Sequence, residues 1–153
     1  MIPRLQQRAR GDQGFTLVEL LVVILIIGIL AAIAIPVFLN QKGKAYDSSA
    51  KEMARTGSLA AETFATDHNG LYTGIEPKVL REYETAIQIA AGNNSAYLSV
   101  AKEQESGKGY VVTAVAPGGS GDTFTVTRNE KGEISRSCKA ESSNKGGCAT
   151  GSW

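Results

Sequence analysis

Histidine is almost missing from this chain: His68 is the only one in 153 residues. Cysteine occurs twice, as Cys138 and Cys148, and tryptophan once, as Trp153. One histidine and two cysteines outside any CxxC pair fall short of a zinc site. The same scarcity leaves no nucleophile, base and orienting group that can be assembled with any definition, so no enzyme, cofactor or metal is expected. An excess of one charge is lacking too. Sixteen Lys and Arg against fifteen Asp and Glu give a net charge of +1. No basic patch stands out, so no specific nucleic-acid partner is evident. Two thiols suffice for a disulfide if they lie outside the cytoplasm, and are otherwise two unrelated side chains.

What the chain does have is a long apolar run. Leu20–Leu39 is 20 residues without a charge. As a helix it would cover about 30 Å, the thickness of a bilayer's hydrocarbon core. Arg4, Arg8 and Arg10 precede it, partly offset by Asp12, which marks residues 1–14 as a segment held on the cytoplasmic side. A single acid, Glu19, stands between the basic segment and the run. That acid counts against a secretory signal peptide cut after Ala34, and against an ordinary membrane anchor. A carboxylate near the centre of a membrane helix costs roughly 2.5–3.5 kcal/mol, and less near its end, so something has to offset it.

The heptapeptide Gly14-Phe15-Thr16-Leu17-Val18-Glu19-Leu20, followed directly by the apolar run, resembles the type IV pilin family, which includes the pseudopilins of type II secretion. The resemblance implies that a prepilin peptidase cuts between Gly14 and Phe15 and then methylates the new amine of Phe15. The mature chain would lose three arginines and one aspartate, and its side chains would sum to −1. In the family the acid at the position of Glu19 pairs with the N-terminal amine of a neighbouring copy during assembly. Gly28 and Pro36 sit where the family pattern has them. Proline removes a backbone donor and glycine weakens a helix, so Gly28–Pro36 is expected to be the weakest part, kinked near Ala32 and prone to unwind in a fibre.

Residues 41–67 continue the helix. Tyr46, Ala50, Met53, Gly57, Ala60 and Phe64 recur at helical spacing and form a small-sided stripe suited to packing on a sheet. Asp67-His68-Asn69-Gly70 should end the helix, with His68 facing solvent. Residues 68–95 form a variable connection, with a short helix predicted at about 77–91 after Pro77. Residues 96–138 read as an antiparallel meander of three or four strands. These are Ala96–Ala101, Gly109–Ala116, Asp122–Arg128 with Phe124 and Val126 inward, and Ile134–Cys138 with both named residues on one face. The tail after Cys138 is rich in Ser, Gly, Lys and Asn, and a Cys138–Cys148 bridge would pin it. Trp153 should cover an apolar patch.

The fold class is therefore α+β: a long N-terminal helix, apolar over 15–40 and amphipathic over 41–67, laid on a small sheet within a head of residues 41–153. The function implied is that of a structural subunit of a type IV pilus. Its expected partners are copies of itself in a helical filament, the prepilin peptidase, the pilus assembly platform, and membrane lipid before assembly. It would cross the cytoplasmic membrane once and later reach the cell surface. The alternatives are a type II secretion pseudopilin and, more remotely, a secreted or membrane-anchored binding domain.

Overall fold

The structure, a computed structural model, describes residues 14–92, 94–118, 121–141, 147, 148 and 150–153. The leader expected at 1–14 lies outside these residues except for Gly14. So do parts of the expected turns at 92–94 and 117–121, and of the tail after Glu141.

The first element, α1, runs from Leu17 to Asp67 and contains Pro36. Residues 28–36 are helical throughout. The helix ends as its sequence directs. Asn69 and Gly70 both take positive φ (55° and 81°), and the Gly70 amide bonds back to the Ala65 carbonyl at 2.8 Å. That six-to-one bond satisfies a carbonyl that the finished helix would otherwise leave open. The chain divides into two compact units between Val37 and Phe38.

Within the second unit, α1 buries Asp47, Ala50, Ala54, Gly57, Ala60, Ala61, Phe64 and Ala65. This is the small-sided stripe, with Tyr46 and Met53 half-buried at its margin. Small residues allow close approach. A Cβ placed on Gly57 would stand 2.8 Å from both Leu98 Cδ1 and Val112 Cγ1, so glycine sets the spacing of helix and sheet there.

Four strands follow: β1 (Tyr97–Glu103), β2 (Tyr110–Val115), β3 (Thr123–Arg128) and β4 (Ile134–Lys139). They form one antiparallel sheet in the order β1-β2-β3-β4. Tyr110, Val112 and Ala114 of β2 and Phe124 and Val126 of β3 are buried, and the residues between them are half-exposed. One face thus meets the helix and the other meets water. Register places Ile134 beside Arg128 and Cys138 beside Phe124, on the shared face, although Ile134 stays 53% exposed.

The short helix departs from expectation. α2 covers only Pro77–Tyr83, not 77–91. Glu84 is extended (φ −139°), and its amide makes the last helical bond, to Leu80. Its carboxylate then caps the turn by accepting the Ala86 amide at 3.0 Å. Beyond it the Gln88 carbonyl accepts the Leu98 amide of β1 at 2.7 Å. Ile87 is fully buried by this path, while Ala86 and Ala90 are exposed. Backbone pairing to the sheet replaces the helical bonds that the apolar spacing anticipated.

A polar cluster ties these elements together. Glu62 of α1 accepts the hydroxyls of Tyr72 (2.7 Å) and Tyr110 (3.1 Å) and pairs with Arg128 of β3 (3.2 Å). The Tyr110 hydroxyl also meets Ser58 Oγ at 2.7 Å. Burial raises the Tyr72 hydroxyl well above the usual phenol range, with the bond to Glu62 acting in the same direction.

Candidate functional site

Gly14, Phe15 and Glu19, the residues expected at a cleavage and assembly site, lie at the start of α1. Gly14, Phe15 and Thr16 precede its first turn and are exposed, Phe15 to 91%. The helix begins at Leu17 because Thr16 caps it. Thr16 Oγ1 accepts the Glu19 amide at 3.2 Å, and Glu19 Oε2 accepts both the Thr16 amide (2.9 Å) and the Thr16 hydroxyl (2.8 Å). This is a capping box, in which residues three apart satisfy each other's free amides. Thr16 had no role in the sequence reading, although Thr-x-x-Glu ahead of an apolar run is its written signature.

The capping box partly answers how an acid is tolerated beside an apolar run. Glu19 lies where the positive end of the helix dipole favours an anion. Its oxygen takes two hydrogen bonds from the chain itself, which lowers the cost of removing it from water. Among the described residues, nothing lies within 4 Å of where a Cβ on Gly14 would stand.

Beyond the cap, Leu17–Leu39 exposes its large apolar side chains on every face. Among the described residues, α1 is the one helix long and apolar enough to cross a membrane by length and composition. Gly28 leaves a shallow apolar hollow lined by Leu21, Ile24, Leu25, Ile29 and Ala32.

The far end of the chain is tied down. Cys138 and Cys148 form a disulfide with Cα atoms 5.7 Å apart. The Cys138 amide donates to the Gly151 carbonyl at 2.8 Å, and the Trp153 indole donates to the Ser137 carbonyl at 2.9 Å. Trp153 packs edge-on against Phe124, with Arg55, Arg136 and Lys51 around its ring. It does cover an apolar residue, and cations surround it. His68 is exposed, stacks on the Phe64 ring at 3.8 Å and bonds through Nδ1 to the Phe64 carbonyl. Among the described residues no group of three or more His, Cys, Asp or Glu could hold a metal ion.

A capped apolar helix, continued by an amphipathic half on a four-stranded meander with a disulfide-bound C-terminal segment, defines the pilin class of α+β protein. Residues 9–35 match the family model described as the prokaryotic N-terminal methylation motif. The chain is 33% identical over 142 residues to the Fimbrial protein EcpC of Eikenella corrodens, covering 88% of this chain and 86% of that protein. It is 35% identical over 121 residues to the Type IV major alpha-pilin of Moraxella bovis, covering 79% and 71%. It is 38% identical over 87 residues to the Prepilin peptidase-dependent protein D of Escherichia coli strain K12, covering 53% and 60%. The chain belongs to the type IV pilin family.

Proposed function

We propose that this chain is the structural subunit of a type IV pilus, cut after Gly14, methylated on the amine of Phe15, and polymerised through α1. The observation that carries the reading is the all-round exposure of Leu17–Leu39 behind the Thr16–Glu19 cap. Such a surface needs lipid first and other copies of itself later, because packing of helices against helices can replace their contact with lipid. The prepilin peptidase, the assembly platform, membrane lipid and further copies are then its partners. The subunit waits in the cytoplasmic membrane with its head outside and ends at the cell surface.

Glu19 supplies the assembly signal in this reading. When cleavage frees the Phe15 amine, a neighbour's ammonium offers Glu19 a charge-assisted partner stronger than the Thr16 hydroxyl and amide. Gly28–Pro36 is the segment that unwinds as the helix leaves the bilayer, since Pro36 cannot donate to the carbonyl of Ala32.

The likeness to major pilins and fimbrial proteins supports a pilus over a type II secretion pseudopilus, and so does the cysteine pair around the C-terminal segment. Intact-mass and N-terminal peptide mass spectrometry of the protein from its own cells tests the reading. The expected terminus is N-methyl-Phe15. A terminus at Ile35, or an uncut chain in mature fibres, overturns it.

A further inference from the structure

The helix-side face of the sheet is unevenly covered. Its buried side chains come from β1, β2 and β3, whereas on β4 only Cys138 is half-buried. Arg136 pairs with Val126 and so shares that face, yet it is exposed, as is Ile134 on the same side. Arg136 and Arg55 of α1 both lie over the Trp153 ring, 5.6 and 5.3 Å from its centre. The ring is held in place by its bond to the Ser137 carbonyl, and the disulfide ties the segment that carries it to β4. A guanidinium stacked on an indole keeps its N–H edge free to grip a carboxylate. Arg136 makes no ion pair among the described residues, and Arg55 has only Glu52, at 3.8 Å and itself 72% exposed. Leu59, one turn beyond Arg55 on α1, is 69% exposed. Fixed cations with exposed apolar neighbours make a strip suited to an acidic protein surface.

The same chain carries an acidic surface elsewhere. Glu103, Glu105 and Glu130 line a hollow of about 370 Å³ together with Lys102, Gln104 and Val111. Two closed turns hold these carboxylates in position. In one, the Gly107 amide bonds to the Gln104 carbonyl at 2.7 Å. In the other, Asn129 Oδ1 accepts the Lys131 and Glu133 amides at 3.0 and 2.9 Å. Glu103 accepts the Gly74 amide at 3.2 Å. Glu105 and Glu130 are exposed and make no ion pair among the described residues. Lys102 and Val111 pair with each other across β1 and β2, on the face turned away from α1. Strip and hollow thus belong to opposite faces of one sheet, and a head cannot close its own strip on its own hollow.

We propose that the Arg55–Arg136 strip of one head seats the Glu103–Glu105–Glu130 hollow of a second copy. The inference rests on the pilus reading, and it adds a contact between heads to the contact between helices. The two surfaces differ, so the contact is heterologous, and a heterologous contact that does not close into a ring propagates as an open helix. A single exposed ion pair contributes little. Here two rigid guanidiniums meet three carboxylates, and the fibre repeats the contact at every subunit.

The test is a charge swap in the full chain, expressed in its own cells and read as fibre yield in sheared surface material. Like charges facing across an interface oppose association strongly, so Arg55→Glu with Arg136→Glu should cut the yield about tenfold or more. Glu105→Lys with Glu130→Lys should do the same from the other side. All four substitutions in one chain put opposite charges back in contact and should restore fibres. Unchanged denaturation midpoints in detergent show that the heads of these variants still fold. If a reversal does not fold, Arg136→Lys keeps the charge and supplies an amine. Zero-length carbodiimide cross-linking of its intact fibres should then join position 136 of one copy to Glu105 or Glu130 of another. Normal yield from both reversals overturns the contact. So does a loss from the strip variant that the fourfold swap does not restore, which assigns the strip to a different acidic partner, or cross-linked fibres without that joined peptide. In each of these outcomes fibres of the unmodified chain still begin at N-methyl-Phe15, so the pilus reading stands or falls separately.

Discussion

The two halves of α1 differ in a way that inverts a common expectation about burial. Leu17–Val37 is mostly Leu, Ile and Val, and all of these are exposed. Asp47–Ala65 buries Ala, Gly, a single Phe and an aspartate. Apolar bulk therefore does not mark the part of the helix that meets the chain's own core. Where the partner is the sheet, space is short and small residues let the backbones approach, as Gly57 does between Leu98 and Val112. Where no described residue packs on the helix, large apolar residues cover every face. Side-chain size distinguishes packing within the chain from packing outside it.

Glu19→Val puts the greatest strain on that distinction. It should leave cleavage and head stability intact and abolish fibres, seen by electron microscopy of sheared cell-surface material. Normal fibre yield would show that the exposed half assembles on apolar contact alone. Gly57→Leu probes the other half. Leucine there collides with two side chains, and the loss of stability in detergent should be about 1–3 kcal/mol by chemical denaturation. Tyr110, beneath the same half, is pushed up to about 12, chiefly by burial, with the Ser58 hydrogen bond opposing and Glu62 acting in the same direction as burial. Its contribution should hold below about pH 10 and be lost as pH rises through about 12, which tyrosinate absorbance can follow. Ile26→Ala should have the least effect on the head, shifting its unfolding by under ~0.5 kcal/mol. A shift as large as that of Gly57→Leu would erase the contrast between the halves.

Much of this was legible from residue patterns, for reasons that differ by element. The stripe Ala50, Gly57, Ala60 and Phe64 repeats at the helical period, and Phe124 and Val126 at the strand period, so their buried faces could be named. Asn69-Gly70 reads as a helix end because few other residues accept positive φ. The segment after Tyr83 was misread because Ile87 can be buried from a helix or from an extended chain, and the Gln88–Leu98 bond that decides between them spans ten residues. Asp47 and Asp122 carry no pattern at all. Their burial depends on two elements 75 residues apart and on amides from a third. Thr16 was legible in principle, as the first member of Thr-x-x-Glu.

The outer strands of the sheet carry a consequence for a protein that works in crowds. Neither is left with its backbone wholly open: the Leu98 amide of β1 is taken by Gln88, and the Cys138 amide of β4 by Gly151, with the disulfide alongside. An open sheet edge invites another chain to add a strand, and the danger grows with local concentration. Copies packed side by side would face that hazard permanently. By covering part of each edge with its own backbone, the head leaves less of the sheet for a neighbouring strand to pair with.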